Sequence, residues 1–139
     1  MKVSIGRPPK DTKKIRRMSV VIHDHDTWSL DSTLAAVIWP ALEKYLEVSK
    51  KIIVMDVPDE EYGGLTLEQA VTELIWVFRE ISTGDEENRI ISEHFIEDGG
   101  ADVGWFRDPE VMHDRQNALA ERLRSGLRLF AATYFHLWN

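Results

Sequence analysis

The chain has 139 residues, 17 Lys and Arg against 24 Asp and Glu, 43% hydrophobic residues and no cysteine. This length supports one domain with one core, and the lack of cysteine excludes disulfide staples, thiolate metal sites and thiol nucleophiles. No apolar run approaches the ~20 residues of a membrane-spanning helix, and MKVSIGRPPK lacks the apolar stretch of a secretory signal, so an intracellular protein away from membranes is expected.

The net charge of −7 is unevenly spread. Residues 1–17 hold seven basic side chains against Asp11 alone, a balance of +6, which leaves −13 on the remaining 122 residues. The expected organisation is therefore a single domain over 1–139, with a basic β-hairpin arm at 1–25 and an acidic helical body at 26–139. Val3 and Ile5 alternate with polar neighbours before Gly6, Arg7, Pro8 and Pro9 end the run. A second extended run follows at 15–23, rich in β-branched residues. Together they predict a hairpin whose long tip carries the prolines, which cannot donate to a strand ladder.

Ser29 as N-cap, with Asp31 in the first turn, predicts a helix over 30–48. Its buried stripe is read as Leu34, Val37, Ile38, Ala41, Leu42, Tyr45 and Val48, with a kink at Pro40 or a break near Trp39. Ile52 to Met55 reads as a short extended piece inside a connector. Thr66 and Gln69 form a capping box for a helix over 66–82, buried through Val71, Leu74, Ile75, Phe78 and Ile81 and ended by Gly84. A short helix is expected between Asp85 and Phe95, and a glycine-bearing loop over 97–106. Asp108 and Pro109 then start a helix over 109–138, long enough to need a second subunit or the hairpin along its flank. The fold class read from these elements is α+β, mainly α: a hairpin packed on three main helices at about 30–48, 66–82 and 109–138.

Four constellations carry chemical interest. His23 and His25 share one face if their segment is extended, so they are candidate metal ligands, with His94, His113 and Asp114 as possible completions. The competing reading is a solvated helix start capped by Asp26. The acidic runs Asp59-Glu60-Glu61 and Asp85-Glu86-Glu87 fall at loop positions, without the E-x-x-E pairs of all-helical nucleotide pyrophosphatases. No phosphate-cradling glycine motif or nucleophile elbow occurs, so the reading leans away from an enzyme and names no catalytic residue and no cofactor. The five tryptophans read mainly as core anchors. Trp105 and Phe106, in a glycine-rich loop, are candidates for partner contact, as are the arm residues Lys10, Lys13, Lys14, Arg16 and Arg17.

The segments Val3-x-Ile5-Gly6-x-x-Pro9-Lys10, IHDHDTWSLDSTLA from Ile22 to Ala35, Gly126-Leu127-Arg128-Leu129-Phe130 and Tyr134-Phe135-x-Leu137-Trp138 resemble a family of tailed-bacteriophage proteins. Its members carry a D-T-W-[SN]-[ML]-D-x-T-L-A block and a C-terminal G-[FL]-R-L-F-x-x-Y-[FY]-x-x-L-W block, and Ile75-Trp76-x-Phe78 also has a counterpart there. The family has no settled function, and this chain is shorter around Ser82 to Asp108. The resemblance implies a virus-encoded protein working in the cytoplasm of an infected bacterium. Asp26, Trp28, Ser29, Asp31, Gly126 and Trp138 are the structural residues of the two blocks, with Gly126 expected at a close helix crossing.

Three functional expectations follow. The first is a non-enzymatic phage accessory protein that binds a host or phage macromolecule for takeover or counter-defence. It would bind a protein partner, with nucleic acid admitted only through the basic arm, and the long last helix suggests a homodimer. The second is a small ligand-sequestering or metal-dependent enzyme built on the His-Asp turn. The third is a virion or assembly component.

Overall fold

The computed structural model of the chain describes residues 1–7, 10, 17–49, 57, 62, 64–96 and 105–137, and for Ile5 and Trp105 the backbone alone. Strand β1 (Lys2–Ile5) pairs antiparallel with β2 (Met18–Val21), and a 3-10 turn (Asp24–Thr27) leads into helix α1 (Leu30–Val48). Helices α2 (Leu67–Thr83) and α3 (Asp85–His94) follow, then the two-residue strands β3 (Phe95–Ile96) and β4 (Trp105–Phe106). Helix α4 (Pro109–Thr133) ends in a second 3-10 turn (Tyr134–His136). This is the mainly helical α+β class that the sequence predicts.

Helix α2 is the centre of the body because its apolar face is the widest. Ala70, Val71, Leu74 and Val77 are completely buried, with Leu67 and Phe78 close behind. Its start is the expected capping box: the Thr66 side chain accepts from the Gln69 amide, and the Gln69 side chain accepts from the Thr66 amide. Its end is Gly84 at φ 64°, which closes α2 and opens α3 in one left-handed residue. The buried Glu80 carboxylate then receives the Glu86 and Glu87 amides, so α2 itself supplies the cap of α3.

Helix α1 lies along one side of α2 and α4 along another. The α4 crossing is close where Gly126 meets Val77: a Cβ at Gly126 would stand 2.8 Å from Val77 Cγ1 and 3.1 Å from its Cβ. That contact is the reason a helix interior here carries glycine, a choice that otherwise costs about 1 kcal/mol relative to alanine. Edge-on stacking of Phe130 against Phe78 closes the same interface.

The structure corrects several sequence expectations. Helix α1 runs through the exposed Pro40 without the break allowed for near Trp39. Its buried stripe is narrower than expected: Leu42 is in the core, Ile38 and Tyr45 pack against it and Ala35 joins it, while Leu34, Val37, Ala41 and Val48 face outward. Ser29 stands at the N-cap position, but its hydroxyl caps nothing, and its carbonyl instead accepts from Thr33. Phe95 and Ile96 leave α3 to pair with Phe106 and Trp105, where a helix end and a loop were expected. Helix α4 stops at Thr133, and α2 and α3 both pack on it, so its length no longer requires a second subunit. The extended piece expected at 52–55 and the glycines at 99–104 lie outside the described residues, as do Lys13, Lys14, Arg16 and Trp138.

Candidate functional site

The hairpin register is Lys2↔Val21, Val3↔Val20, Ser4↔Ser19 and Ile5↔Met18. Residues directly opposite share a face, and the face alternates along each strand. One face is therefore Val3, Met18 and Val20, continued by Ile22, and the other is Lys2, Ser4, Ser19 and Val21. An apolar face of this kind ordinarily packs on something. Here Met18 is 70% exposed, Val20 53% and Ile22 54%. The hairpin is thus not seated on the helices as a sheet on a core. The tip end carries the exposed Arg7, Lys10 and Arg17.

What fastens the hairpin is the turn that follows it. Asp26 is buried and its carboxylate meets the Met1 ammonium at 2.7 Å and the His23 amide at 2.8 Å. The ammonium, more than the His23 amide, holds the Asp26 carboxyl below the usual carboxylate range. Asp26 is thus the clasp of the hairpin and not a cap of α1. The His23 and His25 rings do come together, stacked at 5.7 Å and nearly parallel, but through a 3-10 turn and not an extended face. Among the described residues no group of three His, Asp or Glu side chains is gathered for a metal ion. His94 is buried and hydrogen-bonded to the Ile90 carbonyl, and His113 contacts Gln116 on α4.

Past the turn the apolar surface continues. Trp28 is 85% exposed, the opposite of the core anchor its residue type suggests, and Leu30 and Leu34 beside it on α1 are also exposed. Asp31 faces solvent in the same turn. Further along α1, Val37, Ile38, Ala41 and Tyr45 face Phe130, Tyr134 and Leu137 across an apolar groove of about 320 Å³. Phe106, half exposed, stacks edge-on with Phe95, so the pair holds β3 and β4 together instead of standing free on a loop.

Sequence reasoning missed a second surface, on the far side of α2. A cleft of about 480 Å³ between α2, α3 and α4 is lined by Trp76, Glu86, Arg89, Arg115 and Arg122 among others. Arg122 lies 3.4 Å above the Trp76 ring centre and pairs with Glu73. Arg115 pairs with Glu93, whose carboxyl it holds below the ordinary range, and Arg89 pairs with Glu86. The spacing of Arg115 and Arg122, two turns apart on one helix face, was the available signal. Each guanidinium already faces a carboxylate, so the cleft is an internally neutralised brace between three helices. An anionic ligand would have to displace those carboxylates.

No helix among the described residues is long and apolar enough to cross a membrane. Compared with protein-family models, curated proteins and solved structures, the chain matches none of them.

Proposed function

We propose that this chain is a non-enzymatic binding protein, encoded by a tailed bacteriophage, that engages a host or phage macromolecule in the cytoplasm of the infected cell. A protein partner is the favoured target, and the biological outcome is host takeover or counter-defence. The observation that carries the reading is the hairpin with an uncovered apolar face and a basic tip, followed directly by the exposed Trp28. Large apolar side chains clustered at one end of a molecule, with charge at the rim, are the composition of a protein-binding patch. Trp and Arg are also the residue types that most often dominate binding energy. The acidic body weighs against a duplex-binding surface there, since phosphates are attracted by positive patches.

The test is affinity capture from infected and uninfected host lysate with the wild-type chain and with a Val3→Ser/Trp28→Ala variant. The reading expects a defined protein retained by the wild type and reduced at least about tenfold with the variant, as loss of an aromatic anchor implies. Equal retention by both, or no protein above background in either lysate, would remove it.

A further inference from the structure

We propose that the β2 edge is a dimer seam, on which β2 of a second copy adds in antiparallel orientation to give a four-stranded sheet, β1-β2-β2-β1. The Gly6 amide donates to the Arg17 carbonyl at 2.9 Å, and this fixes the parity of the ladder. Gly6/Arg17, Ser4/Ser19 and Lys2/Val21 are hydrogen-bonded pairs, so Val3, Ile5, Met18 and Val20 turn their amides and carbonyls outward. Among the described residues no third strand receives them.

The two edges are not equivalent. Strand β1 carries Lys2, a charge of the kind that blunts edges, and Met1, the residue just before the strand, is clasped to Asp26. Strand β2 and its continuation read Met18-Ser19-Val20-Val21-Ile22, five residues without charge, proline or glycine, three of them β-branched and all exposed. An isolated two-stranded hairpin is marginal in water, and an edge of this composition is a template for another strand.

Charge selects a second copy of this chain as the occupant. In antiparallel pairing about Val20, Met18 of each copy faces Ile22 of the other, and the basic tip of one hairpin runs toward the base of its partner. The tip end presents the exposed Arg7, Lys10 and Arg17, three cations, whereas the base end sets the exposed Asp24 beside Lys2 and so carries no such excess of positive charge. Parallel pairing would set tip against tip, with Arg7, Lys10 and Arg17 of both copies side by side. Antiparallel pairing of one strand with itself is also the self-complementary arrangement of a two-fold dimer. Because the seam uses backbone groups, the apolar face stays open and doubles in extent. The proposal therefore stands apart from the partner reading above.

The test uses purified full-length chain, and the absence of native cysteine makes it clean. Val20→Cys and Val3→Cys put a thiol on the same face of the same hairpin, at opposite edges. Across the two-fold, Val20 stands about 5.5 Å from its symmetry mate, inside the Cα range of a disulfide. Val3 stands three strand spacings from its own, about 14 Å. On mild oxidation V20C should yield at least about tenfold more covalent dimer than V3C. Sedimentation of the wild type should show a dimer that Val20→Lys, which sets like charges opposite each other, and Val20→Pro, which removes an outward donor, each convert to monomer while helical circular dichroism is retained. A strict 16.1 kDa monomer at high concentration, equal crosslinking of V20C and V3C, or a dimer indifferent to V20K would overturn it.

Discussion

The hairpin arm and the helical body are built on opposite principles. In the body, apolar periodicity is met by burial: Ala70, Val71, Leu74 and Val77 have no exposed surface, and even the charged Glu80 is enclosed with its lone pairs satisfied. In the arm, an equally regular alternation is met by nothing, and Met18, Val20 and Ile22 stand in water. The same residue types thus serve stability in one region and availability in the other. Single substitutions should therefore separate the two regions sharply.

The largest effects belong to the body. Leu74→Ala removes a fully buried side chain at the centre of α2 and should cost about 3 kcal/mol in denaturant unfolding. Gly126→Ala drives a methyl into Val77, and overpacking at that crossing should outweigh the gain in helix propensity, for a net loss of about 2 kcal/mol. Adding Val77→Ala should restore part of that loss, so the double variant is more stable than additivity predicts. Glu80→Ala leaves the first amides of α3 without their acceptor and should cost about 1–2 kcal/mol, with α3 exchanging its amide protons faster than α2.

The clasp between the two regions should respond to acid. The folded Asp26 carboxyl is depressed relative to the ordinary value of about 3.9. Its contribution is therefore complete at neutral pH and is lost as the pH falls through the folded value, below about 4. Protection of the β1 and β2 amides, taken relative to the intrinsic exchange rate at each pH, should fall over that acid range, ahead of α2. Asp26→Asn should leave the hairpin amides weakly protected, with a protection that no longer changes with pH there. Identical acid profiles for the wild type and Asp26→Asn would remove the clasp from the account.

Much of the body was legible in the sequence because its signals are local. Thr66 with Gln69, Gly84 and Pro109 mark helix boundaries through backbone chemistry that needs no tertiary information, whereas Asp108 stands at the expected N-cap position at φ 48° without its side chain capping α4. Gly126 announced the close crossing for the same reason. Which apolar residues are covered was less legible. Helix α1 is apolar around most of its circumference, so periodicity found the buried Leu42 but missed Ala35 and wrongly added Leu34 and Val37. The hairpin was read correctly as a pairing, yet its alternation equally suited a sheet laid on the helices. Only the fold shows that α1 and α4 occupy the flanks of α2 and that the arm is left outside. Asp26 misled because capping residues and buried ion-pair partners are the same residue type. The Trp76 cleft was missed because its arginines come from α3 and α4, brought together only by packing on α2.

The arm serves contact and not stability. The most direct measurement is the paired determination of thermal midpoint and partner capture for Val3→Ser/Val20→Ser, two substitutions confined to the exposed apolar face. The double variant should keep a stability within about 0.5 kcal/mol of the wild type, as for exposed positions generally, and lose capture. A midpoint lowered by many degrees, or capture as strong as the wild type, would contradict it.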